Sequence, residues 1–351
     1  MKKKTILAAV ILALALLAIF AGSAIFEKEQ QRKLESELLA QQQALRESPW
    51  TADNTVQFGG SKYGFDHRLE TFLFIGTDAS GNSDPDDFRG PMADYLLLMV
   101  LDHTNDTIGY LQIDRNTVTD VRELSWEREE ITSRKLQICT AHWYGRNPEM
   151  AAENTVYAVR RLLGGLGKID GYFVMSFADI GRLNHAVGGV EVTVEDEMDQ
   201  SDPALKKGET LTLSDSQAAS FLRARMGVGE GTNAERMARQ RQYVASFFRK
   251  VKEKTMENPK FGLELWNALK GSAVSNMNGN VFSRIAQKLL KGTDTGIRTV
   301  PGKTTLGYAL QDGVEHEEFY ADEDALSDVM RDLFSLVSIG NGQDSNDEDE
   351  G

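Results

Sequence analysis

The chain has 351 residues, 41% of them hydrophobic and 26% charged, which suffices for one large core or two domains. Its formal net charge of -14 argues against nucleic acid as a partner, because the phosphates would be repelled. The single cysteine, Cys139, excludes an internal disulfide and any site built from several thiolates, and it suits a small buried apolar position.

Lys2, Lys3 and Lys4 precede residues 5–26, an uncharged run rich in Ala, Leu and Ile. Such a run is long enough to cross a bilayer as a helix, and the basic flank orients residues 1–4 to the cytoplasm. Small residues at 21–24 also fit a cleavable signal peptide. The run is longer than a signal core and continues through Ile25 and Phe26, which favours an uncleaved anchor. Everything after it then lies outside the cell. Residues 27–48 contain no Gly or Pro and place Leu34, Leu38 and Leu45 at helical spacing, as a stalk would. Residues 49–66 mix Gly, Asn, Ser and Asp and read as a linker. The stalk and linker together span 27–68, and a folded domain is expected over 69–338.

Within that domain, Thr71-Phe-Leu-Phe-Ile-Gly-Thr-Asp78 reads as a buried strand ending at a tight turn that presents Asp78. After the polar loop 79–91 come Asp94, a second apolar strand over 96–101 and a third over 107–113, followed by Asp114 and Arg115. Helices are expected over 150–163, 178–187, 214–221, 240–254, 261–269, 281–290 and 322–338, and strands over 172–177, 190–194 and 299–310. Residues 340–351 carry five acids and no apolar side chain, the composition of a disordered tail. Strands alternating with helices predict an α/β fold, a three-layer sandwich with a mixed central sheet preceded by one transmembrane helix. Charged residues at the strand ends then line a crevice.

The stretch Phe221-Leu-Arg-Ala-Arg225 followed by Asn233-Ala-Glu-Arg236-Met-Ala-Arg239-Gln240-Arg241 gathers five arginines against Glu230 and Glu235. Arg223 and Arg225 would point the same way on an extended segment, and Arg236 shares a helix face with Gln240. Two readings are open. The arginines bind an anion, phosphate above all, or they cover apolar surface with their stems and pair locally. Asp78 and Asp94 are hard oxygen ligands of the kind Mg²⁺ accepts together with phosphate oxygens. His103, His142 and His185 assemble no metal set or nucleophilic triad, and Trp126 and Trp143 fit packing roles.

The order Phe72-Leu-Phe-Ile-Gly-Thr-Asp78, Ala93-Asp94, Ile113-Asp-Arg115-Asn-Thr117, Ala141-His-Trp-Tyr-Gly145, Gly188-Gly189-Val190, Arg223-Ala-Arg225 and Arg236-Met-Ala-Arg239-Gln240 resembles the LytR-CpsA-Psr family. That resemblance covers roughly 69–250, with a weaker tail to about 336. It implies an envelope phosphotransferase that moves a glycopolymer, such as teichoic acid or capsule, from undecaprenyl pyrophosphate to peptidoglycan, on the outer face of a Gram-positive-type membrane. By position it implies Asp78 and Asp94 as metal-associated aspartates for Mg²⁺ or Mn²⁺. Arg115, Arg223, Arg225, Arg236 and Gln240 would be pyrophosphate ligands, and Asp94 and Arg115 the catalytic pair. An apolar pocket would take the prenyl chain.

Three positions depart from that pattern. Met92 stands where an arginine usually precedes Ala-Asp. Asn116 stands where an aspartate follows the arginine of a Pro-Arg-Asp-like element, and Asn233 where another precedes Arg236. Arg89 could reach the same phosphate from the loop. These changes admit a second reading, a non-catalytic or regulatory polyprenyl-pyrophosphate binder.

Overall fold

The computed structural model describes residues 50–78, 90–125, 130–145, 147–198, 200–225, 227–310 and 312–341, with the isolated positions 29, 32 and 33. The predicted anchor 5–26, nearly all of the stalk, Arg89, Trp126 and the acidic tail beyond 341 lie outside the described residues. The chain divides into units Met1–Thr51 and Ala52–Gly351, and the elements below all belong to the second. Among the described residues no helix is long and apolar enough to cross a membrane.

A six-stranded sheet forms the centre. Its strands are β1 (Leu69–Thr77), β2 (Ala93–Asp102), β3 (Thr107–Ile113), β4 (Gly171–Ser176), β5 (Ala273–Ser275) and β6 (Thr293–Thr299), in spatial order β5-β4-β1-β2-β3-β6. β1, β2 and β3 pair antiparallel in sequence, β4 lies parallel to β1, β6 parallel to β3, and β5 antiparallel to β4. The helices are α1 (Pro148–Leu162), α2 (Ile180–Ala186), α3 (Asp215–Arg223), α4 (Asn233–Glu257), α5 (Phe261–Leu269), α6 (Gly279–Lys291) and α7 (Glu323–Phe334).

The mixed sheet is covered on both faces, as β2 shows. Its Leu97, Met99 and Leu101 enter one core with Phe248 of α4, Leu265 of α5 and Phe282 of α6. The alternate residues Leu96, Leu98 and Val100 enter a second core with Val159 of α1 and Met330 and Phe334 of α7. A strand buried on both faces reads as an unbroken apolar run, which is how 96–101 reads. Each fully buried Leu or Met of that run contributes about 1.5–3 kcal/mol.

Several boundaries differ from expectation. Residues 49–66 are not a linker: Thr55–Phe58 and Ser61–Gly64 form an antiparallel hairpin, so folded structure begins before Leu69. The turn is Gly59-Gly60, with φ of 53° and 77°, a pair that supplies the left-handed conformations a two-residue hairpin needs. The last helix ends at Phe334, not 338. Ser335 turns the chain at φ 51°, and Val337–Asn341 then pairs with Ser61–Gly64. Residues 299–310 are split between the end of β6 and Gly302–Gly307, which pairs with His316–Ala321. The hairpin Val118–Leu124 with Glu130–Gln137 was unanticipated. Finally, α4 begins at Asn233, because Thr232 and Glu235 cap each other's backbone at its N-terminus.

Candidate functional site

With β1–β2–β3 antiparallel, the end of β1, the start of β2 and the end of β3 meet at one edge of the sheet. That edge carries Asp78, Asp94 and Arg115. Arg115 Nε lies 2.8 Å from Asp94 Oδ1 in an ion pair. Among the described residues neither atom has an aligned hydrogen bond, although both are buried, so the contact is one of charge. Arg115 Nη2 sits against the Met92 thioether and lies 3.3 Å from Cys139 Sγ. Asp78 Oδ1 accepts from Met92 N at 3.2 Å and Asp78 N donates to Met92 O at 3.4 Å, closing the neck of the 79–91 loop. Burial works against the Arg115 cation, but Cys139, Asp94 and Asp78 outweigh it and hold its pKa above the ordinary value.

Arg236, in the first turns of α4, belongs to the same field. Burial is the main influence lowering its pKa; Asp94 and Asp114 oppose that and Arg115 and Arg225 add to it. Its side chain is 8% exposed. Nη2 donates to Asn233 Oδ1 at 2.6 Å, while Nε has no hydrogen-bond partner among the described residues. A buried guanidinium nitrogen without an acceptor is costly unless a ligand supplies one.

The other predicted residues are placed differently. Arg223 and Arg225 do not share an extended segment: Arg223 is the last residue of α3, and it is exposed. Arg225 donates to Gly231 O and pairs with Glu317 Oε2, both at 2.9 Å, close enough to Arg236 to be felt electrostatically. Gln240 is buried in the wall between α3 and β3, donating to Leu222 O and accepting from Gln112. Arg239 is structural, clamping the end of α3 through the Phe221 and Ala224 carbonyls and pairing with Asp196.

Sequence reasoning passed over three contributors. Asp114 anchors the turn before Arg115, Cys139 touches Arg115, and the half-buried Arg241 donates to Gln112 Oε1 at 2.8 Å. For Asp114 the signal was its place at the end of an apolar strand; for Cys139 there was none. Trp143 packs in the helical turn Ile138–Trp143. His103 pairs with Glu70 at the opposite edge of the sheet, and His185 pairs with Asp215.

Below the charged edge, the sheet and helices α4–α6 enclose an empty volume of about 1010 Å³, part of it open to solvent. Its walls are apolar, with Phe74, Leu97, Phe173, Val244, Phe247 and Leu289 among them. Gly76, Tyr95, Ser176 and Gln240 also line it, close in sequence to Asp78, Asp94 and Arg236. Gly76 is required there, since a Cβ would come 2.9 Å from Tyr95 Cβ and 3.3 Å from the Phe177 ring. Cavity and charged edge are therefore neighbours along β1 and β2, Gly76 and Tyr95 lining the one and Asp78 and Asp94 lying at the other.

Among the described residues no three His, Cys, Asp or Glu side chains converge as a metal set. Asp78 and Asp94 are carboxylates of the kind Mg²⁺ takes in a phosphate site, which needs one or two of them and draws its other oxygens from phosphate and water. The buried Asp94 Oδ1, ion-paired with Arg115 but without an aligned hydrogen bond among the described residues, is a donor atom of the required kind.

The profile of the LytR_cpsA_psr family matches residues 37–332. The chain belongs to the LytR-CpsA-Psr family. Among solved structures it is similar to TagV from B. subtilis, with 21% identity and a TM-score of 0.58 over 76% of this chain and 96% of that one. It is also similar to gbs0355 from Streptococcus agalactiae, with 14% identity and a TM-score of 0.60 over 80% and 94% of the two chains. For TagT bound to LIIa-WTA the values are 17%, 0.55, 79% and 94%. At such identities the likeness is one of fold. A comparison with curated proteins gave no match.

Proposed function

We propose that this chain is a membrane-anchored extracellular phosphotransferase that attaches a glycopolymer from an undecaprenyl-pyrophosphate carrier to peptidoglycan. LytR-CpsA-Psr proteins generally are glycopolymer–peptidoglycan transferases, and the fold relative TagT is bound to LIIa-WTA. One observation carries the reading: a cluster of guanidinium and carboxylate groups lies beside strand residues that line an apolar cavity. An apolar cavity with buried cations nearby suits a long lipid with a strongly anionic head. In this reading the anchor is residues 5–26, with the domain on the outer face of a Gram-positive-type envelope.

The prenyl chain would fill the cavity, and Arg236 and Arg115 would hold the pyrophosphate, with Arg225, Arg223, Gln240 and Arg89 as further candidates. Mg²⁺ or Mn²⁺ held by Asp78 and Asp94 would supply positive charge to neutralise the diphosphate. A peptidoglycan hydroxyl attacks the phosphorus bearing the glycopolymer. The new P–O bond completes a phosphodiester, the bond to the bridging oxygen breaks, and prenyl phosphate departs with that bond's electrons. Asp94, held by Arg115, takes the hydroxyl proton and releases it to solvent. Preorganised cations are worth most where charge accumulates on the leaving group.

Mass spectrometry of lipid extracted from the detergent-solubilised protein is expected to find a polyprenyl phosphate or pyrophosphate. In a transfer assay with a lipid-linked donor, Asp78→Ala and Arg236→Ala are each expected to lower turnover by about 10²-fold or more. A chelator should suppress transfer and added Mg²⁺ restore it. Unchanged turnover in both variants would overturn the site assignment. A second reading, a non-catalytic prenyl-pyrophosphate binder, is favoured by the Met92 thioether lying against Arg115 where the family has a cation. It predicts the copurifying lipid without any transfer.

A further inference from the structure

Two carboxylates of the family pattern, at 116 and 233, are asparagines here, while an aspartate occupies 114, where the Pro-Arg-Asp-like element has proline. The structure joins these positions. Asp114 Oδ1 accepts from Asn116 N at 2.8 Å, which fixes the carboxylate in its own turn. The same atom accepts from Asn233 Nδ2 at 2.7 Å, across 119 residues of chain. Asn233 Oδ1 in turn accepts from Arg236 Nη2 at 2.6 Å, one helical turn along α4. Asn233 and Arg236 are 4% and 8% exposed, so water does not substitute for these bonds.

An amide suits position 233 because it donates at one end and accepts at the other. Its NH₂ must face the Asp114 carboxylate and its oxygen the guanidinium. An aspartate at 233 would instead set two carboxylates against each other at hydrogen-bond distance. Asparagine at 233 is thus the partner that an aspartate at 114 requires. Arg115 and Arg236 are the cations nearest Asp114, and Cys139 is the other titratable group beside it.

We infer that Asp114, acting through Asn233, is a positioning residue that aims Arg236 at the ligand's diphosphate. The inference rests on the functional reading above and deepens it: these departures rewire the anion site and leave it able to bind. The step through Asn233 also accounts for Arg236 Nη2 being occupied while Nε is left for a ligand oxygen.

The test uses the full chain in detergent, with geranylgeranyl pyrophosphate as probe and the uncharged geranylgeraniol as control. Asn233→Asp is expected to raise the Kd for the pyrophosphate on the order of tenfold, the scale of one charge-assisted hydrogen bond, and to leave the alcohol unaffected. The exchange Asp114→Asn with Asn233→Asp restores one donor against one carboxylate. It is expected to return the Kd to within about threefold of wild type. Wild-type affinity in Asn233→Asp, no recovery in the exchange, or equal losses for pyrophosphate and alcohol would each overturn the relay. If Asn233→Asp alone does not fold, the exchange variant decides: folded and binding upholds the relay, and otherwise it fails. A wild-type chain that binds neither probe overturns the functional reading itself, and the relay with it.

Discussion

Arg115 is held by one carboxylate, one thiol and one thioether, an apolar setting for a cation. The Met92 sulfur fills space without bringing charge, so the field at this edge depends on Arg115 and Arg236 more than the family pattern implies. His142 shows the opposite case, a titratable residue kept neutral. It is 3% exposed, and its Nδ1 lies 3.1 Å from the Thr155 hydroxyl. That hydroxyl already donates to Ala151 O, so it accepts from an Nδ1–H. Burial lowers the His142 pKa from 6.5 to about 4. Between those values the unfolded chain binds the proton and the folded one does not, so stability falls as the pH drops through that window. Roughly 3 kcal/mol should be lost by pH 4. Denaturant titrations at pH 7 and pH 4.5 should show a shallower decline for His142→Gln than for wild type. Equal slopes would mean that His142 titrates normally.

At the scale of the element, α4 matters most, because it supplies both the anion ligand and a cavity wall. Its first turn is fixed by Thr232, which accepts from Glu235 N, and by Glu235, which accepts from Thr232 N. The pattern Thr232-Asn-Ala-Glu235 is a capping box that can be read directly from sequence. The helix was nonetheless expected only from 240, because the arginines between 233 and 240 hide the apolar period. Thr232→Ala is expected to cost about 1 kcal/mol, seen as a lower Tm. It should also weaken binding of the pyrophosphate probe, since Arg236 lies within the frayed turn. A lower Tm with unchanged affinity would show that the helix start does not control the guanidinium. The Gly59-Gly60 hairpin was equally legible as a two-residue turn between apolar residues, and the polar composition around it masked the signal.

At the scale of the whole molecule, the receptor is a consequence of layering. Helices α4–α6 do not close fully on the sheet, and aromatic side chains such as Phe74, Phe173 and Phe282 line the gap. Val244 lines that space and carries no charge. Val244→Trp should therefore raise the Kd for the prenyl pyrophosphate by about tenfold or more while leaving binding of inorganic pyrophosphate unchanged. Overpacking is expected to cost about 1–3 kcal/mol, so a thermal melt accompanies the measurement. Loss of both ligands would mean that cavity and anion site do not act independently.

The sequence by itself determined the fold class, the apolar strand from 71 to the turn at Asp78, the strand 107–113, the helix over 261–269 and the identity of the charged residues at the sheet edge. Each of these follows from local periodicity or composition, which needs no knowledge of neighbours distant along the chain. Tertiary structure alone decided which arginines remain available. Arg225 and Arg239 are engaged by Glu317 and Asp196, partners 92 and 43 residues away, whereas Arg236 is turned inward by Asn233 and Asp114. A guanidinium looks the same in every sequence; only the carboxylates that folding brings beside it determine whether it is structural or open to a ligand.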